Sequence, residues 1–492
     1  MQHDRSCIRV DRRFVLVTGG GLLASAGAGF AQDLSQNGVR PNRTTADLIA
    51  TFVAGFDIDK APPELIERAR IAFVDTIGVM LGGAHEEVAH IARDMVAAEA
   101  SAPRASIPGS ALRASPQLAA LANGVAAHAM DSDFSYASGQ SASPVIPALL
   151  PLAEATGATP KEVIAAFIVG CEVAARLVRA SPKISAQGGW HAVGMIGPIA
   201  AAAACARLLK LPPSAIPDVI GISASLASGF SANFGTMTKP LHSGNAARNA
   251  IMAAMLGAKK FTASATALEG RSGYFDTFSR GLPRVDGAFN DLGATFDLLE
   301  RGYKLKRYPC GGLSHASIDA ALKVREQIAG GSVNIAKVEV GVTSNAFQRI
   351  GAAYPHSVES AKFSMPYIAS WTTLYGAPSL ATFTEQAIAD PRIKAFAPKI
   401  SHHIDPEFAD EIDEAPGRVK VTLVDGKVLE QKVWFASGTP QNPMSSAQIE
   451  AKFMDCAKLV MKEEQARRVF TWVGDLPEQR SFDALWPMLR VG

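Results

Sequence analysis

The stretch PELIERARIAFVDTIGVMLGG, residues 63–83, decides how the first half of the chain folds. Apolar side chains recur in it every three or four positions, at Leu65, Ile66, Ala69, Phe73, Ile77 and Met80. This spacing places them along one face of an α-helix, where they can be buried together. We therefore predict a long helix that begins at Pro63 and packs against further helices.

Helix signals recur up to about residue 303. Ser115 and Pro116 provide a capping residue and a first-turn proline for another helix. The run from Thr159 to Glu162 is a capping box with a proline at the first helical position. Residues 192–206 are apolar all round, which predicts a fully buried helix that is too short to span a membrane.

The pattern changes after about residue 303. Residues 337–342 alternate like a half-buried strand, and residues 418–424 and 427–435 alternate on either side of Asp425 and Gly426, a strong hairpin signal. Helical spacing returns after Gly438.

The predicted fold is therefore mainly α. A large all-helical domain is built from an N-terminal part, residues 44–303, and a C-terminal part, residues 438–492. A smaller α+β lid domain, residues 304–437, is inserted between them.

The composition sets broad limits on function. The chain has 492 residues, of which 48% are hydrophobic and 19% charged, so it can bury a large core and is too long for one ordinary domain. Its 48 basic and 46 acidic residues show no basic stripe, and we expect no nucleic-acid partner. The cysteines that follow Cys7 are widely spaced and form no metal or redox pattern: Cys171, Cys205, Cys310 and Cys456.

The N-terminus resembles an export signal. Arg12 and Arg13 form a twin-arginine pair, and an uncharged, mildly apolar stretch follows to small residues at 28–31. We predict a Tat-type signal peptide at 1–31, a linker at 32–43, and a periplasmic location. A transmembrane helix is disfavoured by the short length and the glycines, and Thr18 to Gly21 lacks the strand and helix that a nucleotide loop needs.

Four segments carry the side chains suited to catalysis. Asp131 and Asp133 lie where a helix gives way to a polar loop, although a solvated loop with a capping aspartate would have the same composition. His191 follows two glycines and precedes a buried helix, whose N-terminus favours anions; an interface histidine is the alternative. Lys239 and His242 flank Pro-Leu in TKPLHSGNAA, before an expected helix start at the Gly-Asn pair.

The fourth segment is KRYPCGGLSH, residues 306–315, which ends in His315 at the predicted domain boundary. Clefts between domains are favoured ligand sites. No metal site is predicted, because His85 and His90 are five residues apart and fall on different helix faces. No phosphate loop or nucleophile elbow is present in the sequence.

Together these strings resemble the MmgE/PrpD family over roughly residues 45–490. The resemblance rests on ERARIAFVDTIGVMLGG, SPVIPALLPLAEA, TKPLHSGNAA, KRYPCGGLSHASIDAAL and SMPYIAS. It implies a helical domain with an α+β lid, a homodimer, no metal or organic cofactor, and a pocket between domains. Activities of the family include methylcitrate dehydration, cis-aconitate decarboxylation and iminodisuccinate epimerisation.

Positions are carried over from the family one by one. The resemblance implies catalytic roles for Asp131, His191, Lys239 and His315. It implies substrate binding by Asp133, Ser135, Gln140, His242 and Tyr367. Lys239 is expected to anchor a carboxylate, and His191 or His315 to transfer a proton.

The sequence also departs from the family. Phe134 replaces a common aspartate, Gln140-Ser141 stands where His-Pro is expected, and Gly311-Gly312 replaces a basic or histidine side chain. Glutamine cannot act as a general acid or base, so these positions question methylcitrate as the substrate.

The sequence thus predicts a cofactor-free hydro-lyase, similar to 2-methylcitrate dehydratase, that acts on a small anionic di- or tricarboxylate. An epimerase that removes and returns a proton is the first alternative, and a non-catalytic periplasmic binding protein is the second. No stable membrane association is expected.

Overall fold

The protein is described from a computed structural model. It covers residues 43–491, apart from 138, 183, 185–188, 280, 283, 329–333 and 410–413. The predicted signal peptide, and all of the predicted linker except its last residue, lie outside the described residues. None of the described helices has the combined length and apolar character of a membrane span.

Helices make up most of the described chain up to residue 303. In chain order they are α1 Thr45–Gly55, α2 Pro63–Gly83, α3 Glu87–Ala98, α4 Pro116–Ala129, α5 Val145–Thr156, α6 Pro160–Ala180, α7 Ala192–Met195, α8 Gly197–Leu208, α9 Ile216–Ser225, α10 Thr238–Ala258, α11 Tyr274–Ser279 and α12 Asp297–Glu300. Two short strands, β1 Ala105–Ser106 and β2 Arg113–Ala114, pair antiparallel.

The second half adds a sheet. Its helices are α13 His315–Arg325, α14 Ser344–Arg349, α15 Val358–Ala361, α16 Met365–Tyr375, α17 Glu385–Ile388, α18 Pro391–Phe396, α19 Ser446–Ala457, α20 Glu463–Gly474 and α21 Leu485–Leu489. Its strands are β3 Ile335–Val342, β4 Ile400–Ile404, β5 Gly417–Leu423 and β6 Val428–Val433, in the order β4-β3-β5-β6. β3 is parallel to β4 and antiparallel to β5.

The largest apolar cluster of the described residues combines side chains from the first helical region and from the C-terminal helices. It draws its buried side chains from residues 46–305 and 444–489. A second cluster, from residues 316–433, lies around the sheet. The mainly α prediction is confirmed, but residues 44–492 form one unit, so an independent lid domain stays a prediction.

Several local predictions are confirmed. The capping box at Thr159 and Glu162 is formed, and the hairpin at Asp425-Gly426 joins β5 to β6. The apolar run 192–206 is buried, although it is divided into α7 and α8 at Ile196, just before Pro198.

One helix start was placed wrongly. α10 begins at Thr238, six residues before the predicted Gly-Asn start, so Lys239 and His242 lie inside its first two turns. Proline is accepted early in a helix, where the N–H groups lack partners within the helix, and Pro240 therefore does not delay the start.

Candidate active site

A buried carboxylate, that of Asp131, is the centre of the site. Asp131 follows α4 and has a left-handed backbone with φ 51°. Its Oδ1 lies 2.5 Å from Nζ of Lys239 and 3.0 Å from Nζ of Lys306. Burial alone would raise the pKa of Asp131, but the two ammonium groups hold it far below its usual value. Among the described residues, Oδ2 of Asp131 has no hydrogen-bond partner although it is buried.

The two lysines reach Asp131 from distant parts of the chain. Lys239 projects from the first turn of α10, and burial lowers its pKa while Asp131 opposes that change. Lys306 precedes α13 and also donates to the carbonyl oxygen of Asp131 at 2.8 Å. The Lys239 ammonium lies 5.2 Å from the ring centre of Phe363 and 5.9 Å from that of Phe234. One carboxylate oxygen therefore faces two buried cations beside an aromatic wall.

A buried histidine–aspartate pair lies beside this centre. Nδ1 of His128, at the end of α4, is 2.9 Å from Oδ2 of Asp133. Burial lowers the pKa of His128, and Asp133 partly opposes the shift. Burial would raise the pKa of Asp133, but His128 draws it below its usual value. Asp133 thus orients an imidazole, and the burial of Asp131 and Asp133 argues against the solvated loop that the sequence left open as an alternative.

Two further histidines meet through their Nδ1 atoms. His191 precedes α7, and its Nδ1 lies 3.0 Å from Nδ1 of His242 in α10. The His191 ring also stacks on that of His128, with ring centres 5.4 Å apart. Burial and the nearby His128 and Lys239 hold the pKa of His191 well below its usual value, and burial lowers that of His242 to about 4. Both rings are therefore neutral near pH 7.

Gln140 and Ser135 lie next to the same centre. Nε2 of Gln140 donates to Oδ1 of Asp131 over 3.4 Å, a long hydrogen bond. The backbone of Ser135 pairs with that of Lys304, with both N–H to O distances at 2.8 Å. A Cβ added to Gly312 would lie 3.9 Å from Oγ of Ser135, so this side chain borders the site.

His315 lies at the margin of the cluster. Its Nε2 is 3.3 Å from the carbonyl oxygen of Cys310, and its ring meets Tyr308 edge to face. Burial and the nearby Lys306 lower its pKa to about 3. Nε2 of His315 is therefore hydrogen-bonded to the backbone. Of the two histidines expected to transfer a proton, His191 is the better placed.

Tyr367 lies apart from the other predicted residues. Its hydroxyl donates to the carbonyl oxygen of Thr382 at 2.5 Å, and its ring packs near Phe383 and Tyr354. The side chain is fully buried in a cluster of the second half of the chain. These contacts give Tyr367 a structural role, and its predicted role in substrate binding has no geometric support.

Four residues that form or hold the site were not among the site residues predicted from the sequence. His128 and Lys306 both lie in sequence segments that were singled out for catalysis. Those segments do not show that the two side chains lie close to Asp131 and His191 in the fold. Lys362 and Lys452 hold the site loop through the backbone. Nζ of Lys362 donates to the carbonyl oxygen of Ala129 at 3.0 Å, and that of Lys452 to Ser132 at 2.7 Å.

The two glycines after Cys310 leave room that other side chains use. A Cβ at Gly311 would lie 2.8 Å from Cδ1 of Ile350 and 3.2 Å from the ring of Phe363. A Cβ at Gly312 would lie 3.5 Å from Cε of Lys306. Apolar groups thus fill the space beside Gly311, where the family resemblance led us to expect a basic or histidine side chain.

His128, Asp131 and Asp133 could in principle bind a metal ion, but their contacts favour ion pairs within the chain. Donor atoms of His128, Asp131 and Asp133 lie within 4.8 Å of one another, a spacing at which three side chains can share a metal ion. Asp133 is already bound to His128, and Asp131 to the ammonium groups of Lys239 and Lys306. These two positive charges would repel a divalent cation. The absence of a metal cofactor stays a prediction.

In this mainly helical protein, buried lysines and neutral histidines surround one carboxylate. Such a group of side chains is typical of an enzyme that binds small anions. The chain belongs to the MmgE/PrpD family: its N-terminal domain matches residues 47–284 and its C-terminal domain matches residues 308–476. The protein is an enzyme of the lyase type found in that family.

Curated relatives align along most of the chain. Cis-aconitate decarboxylase from Homo sapiens is 26% identical over 460 residues, which is 91% of this chain and 95% of the relative. The enzyme of the same name from Mus musculus is 24% identical over 465 residues, covering 91% and 94%. That from Aspergillus terreus is 26% identical over 456 residues, covering 86% and 91%.

Proposed function

We propose that the protein is a carboxy-lyase that removes CO₂ from a small unsaturated tricarboxylate of the cis-aconitate type. One observation carries the proposal: two buried ammonium groups converge on a single carboxylate oxygen beside histidines that are held neutral. The relatives, which are cis-aconitate decarboxylases, favour CO₂ loss over the dehydration that was expected first.

Lys239 and Lys306 supply the anion binding. A substrate carboxylate can approach the same two ammonium groups that Asp131 now neutralises. In a buried site such charge-assisted hydrogen bonds are stronger than in water, and they fix the orientation of the substrate. Burial lowers the pKa of Lys239, and the negative charge of Asp131 opposes this loss of the charged form.

The reaction then needs only one proton. The bond between carbon and the leaving carboxylate breaks, CO₂ departs, and the electron pair stays on carbon, spread over the adjoining unsaturated carboxylate. The lysine ammoniums stabilise this charge as it develops. A proton from Nε2 of His191 completes the product, since Nδ1 of His191 is engaged by His242.

Dehydration is the second candidate and stays a prediction. It would require one group to remove a proton from carbon and another to protonate the leaving hydroxyl. Gln140, which cannot titrate, is the polar side chain that reaches Asp131 from the loop. This observation favours the reaction that uses fewer proton-transfer groups.

Product analysis tests the proposal. Purified protein is incubated with cis-aconitate, citrate and 2-methylcitrate, and products are identified by mass spectrometry together with a CO₂ assay. CO₂ and a dicarboxylate from cis-aconitate are expected. Loss of water from citrate or 2-methylcitrate, without CO₂, would replace this proposal by the hydro-lyase. A product of unchanged mass that gains deuterium from D₂O would indicate the epimerase, and tight binding without product would indicate a binding protein.

Two further proposals concern location and assembly. We propose export through the twin-arginine pair, so that the change of Arg12 and Arg13 to lysine should retain the precursor in the cytoplasm. Export of that variant at the normal level would contradict this route. The homodimer that the family resemblance implies is measured by light scattering of the purified protein, where a monomer mass would contradict it.

A further inference from the structure

We infer that His242 and His191 form a two-histidine proton relay, in which His242 reprotonates His191 while His191 delivers a proton to the substrate carbanion. The inference rests on the proposed decarboxylation and adds a function for His242, which was expected only to bind substrate. The geometry that carries it is the contact of 3.0 Å between the two Nδ1 atoms.

This contact fixes how the two rings share a proton. Two imidazole nitrogens can form a hydrogen bond only if one donates and the other accepts. If His242 donates from Nδ1, then Nδ1 of His191 is the acceptor and its proton is carried on Nε2. That tautomer is the one His191 needs in order to protonate a substrate from Nε2.

The surroundings disfavour a relay through charged imidazolium. The titratable and charged groups that face the pair are His128 from α4, Lys239 from α10, and Asp131 from the loop after α4. Burial, His128 and Lys239 favour neutral rings, and Asp131 only partly opposes them. A neutral imidazole that gave up its proton alone would become an anionic imidazolate. Simultaneous delivery of a proton to its other nitrogen avoids that charge.

The proton balance is closed by solvent. The carbanion receives the proton from Nε2 of His191, Nδ1 of His191 receives the proton from Nδ1 of His242, and Nε2 of His242 takes a proton from water. The hydroxide ion that remains combines with the released CO₂ to give bicarbonate. Both rings remain neutral and each has changed tautomer. A return of the two tautomers completes the turnover.

His242 is the histidine of the pair that lies nearer to the surface. It retains 7% exposure, against 4% for His191, and the preceding Leu241 is 38% exposed. Gly229 contacts both histidines. Its carbonyl oxygen accepts a hydrogen bond from the backbone N–H of His191 at 3.0 Å. A Cβ at Gly229 would lie 3.0 Å from Cγ of His242, and φ is 136° there. A side chain at position 229 would therefore crowd the ring of His242, and glycine leaves the ring room beside His191.

Kinetics of two variants test the relay. His242→Gln can still donate a hydrogen bond to His191 but cannot pass a proton on. We expect its kcat for cis-aconitate to fall about 100-fold, with KM changed much less. His242→Ala leaves space for a small imidazole, so added imidazole at fixed pH should raise its rate in proportion to concentration. The rate of the unchanged protein should not depend on imidazole, and the surface variant His403→Gln should match it.

Two kinetic results would overturn the relay. One is a His242→Gln enzyme with unchanged kcat. The other is a His242→Ala enzyme that is slow, folded and insensitive to imidazole, which would leave His242 a binding or structural role.

An independent measurement separates failure of the relay from failure of the proposed reaction. If the unchanged protein releases no CO₂ from any tricarboxylate, the proposed function is wrong, and the relay is then tested by ¹⁵N NMR of the full histidine-labelled chain. The relay requires Nδ1–H on His242 and Nε2–H on His191, assigned with the His242→Gln and His191→Gln variants. Protonation of Nε2 alone on both rings, or two charged rings, would overturn it.

Discussion

Two buried ion clusters of this protein show what separates structure from function. In the first, Arg176 in α6 is fully buried and pairs with Glu172, Asp291 and Asp297, while Arg179 pairs with the last two. Glu172 also accepts from the backbone N–H groups of Asp297 and Leu298.

The second cluster is arranged with the opposite sign. Lys239 and Lys306 share one oxygen of Asp131, and the neighbouring imidazoles are neutral. Carboxylates surround the arginines in the first cluster, whereas ammonium groups surround the carboxylate in the second. Three carboxylates thus face two guanidinium groups in the first cluster, whereas two ammonium groups face the Asp131 carboxylate in the second and would attract an incoming anion. The sign of the surplus charge, rather than burial alone, therefore distinguishes the proposed anion site from the structural ion cluster.

The largest change is expected from a substitution that disrupts the first cluster. Arg176→Met leaves the buried Glu172 without its cationic partner and removes one of the two arginines that pair with Asp291 and Asp297, so we expect a loss of about 3–5 kcal/mol in the free energy of unfolding. The folded fraction should keep its KM. Urea unfolding of the variant measures this loss. The matched control, Arg179→Met, concerns a side chain that is 27% exposed and should cost clearly less. Equal losses for both would show that burial of Arg176 is not decisive.

The second prediction concerns a substitution that disrupts the cluster around Asp131. Lys239→Met removes one of the two charges that stabilise the transition state, so kcat/KM should fall about 100- to 1,000-fold. Lys306→Met should behave similarly. Steady-state CO₂ release measures both, with thermal unfolding as the check on folding. Lys304→Ala, two residues from Lys306 and paired with Glu414, is the control and should keep its activity. Full activity of Lys239→Met would refute the anchoring role.

The third prediction contrasts the pH dependence of the two clusters. Burial raises the pKa of Glu172 to about 7 from 4.5, so the native state binds more protons than the unfolded state between those values. This contribution to stability is present below pH 4.5 and is lost as pH rises to 7. His242 has the opposite sign: its pKa is lowered from 6.5 to about 4, so stability is lost as pH falls through that window.

Unfolding free energies from pH 4 to 7 measure these slopes, at about 1.4 kcal/mol per pKa unit. Glu172→Gln should make stability rise more steeply with pH, because it removes the opposing contribution. His242→Gln should make it rise less steeply. A pair of variants with unchanged slopes would contradict both assignments.

The smallest expected effect concerns orientation of an imidazole. Asp133→Asn keeps an oxygen that can accept from Nδ1 of His128 but removes the charge, which costs about 1 kcal/mol of hydrogen-bond strength. We expect a modest fall in kcat, measured as above, and a larger fall for Asp133→Ala. A variant Asp133→Asn that is as inactive as Lys239→Met would mean that Asp133 contacts the substrate directly.

Features of the fold that depend on neighbouring residues were predictable from the sequence. Helical spacing in α2, the capping box at Thr159 and the hairpin at Asp425 depend on neighbours in the chain, and all three were predicted correctly. The start of α10 was not, since the helix tolerates Pro240 near its first turn.

The site was predictable only in part. Asp131, His191 and Lys239 are brought together as expected, but these contacts span 108 residues in the case of Asp131 and Lys239. No local pattern encodes such a distance, and the place of Lys306 and His128 could therefore not be derived. Tyr367 shows the reverse error, because a residue in a family-like string turned out to serve the core.

A crystal structure of the full chain with a bound tricarboxylate would show directly whether Lys239 and Lys306 bind the substrate carboxylate. Citrate or a slowly reacting analogue would be used, so that the ligand persists. We expect a ligand carboxylate oxygen within about 3 Å of both the Lys239 and Lys306 ammonium nitrogens, with a ligand carbon facing Nε2 of His191. A ligand bound away from these lysines, with the Asp131 contacts unchanged, would contradict it.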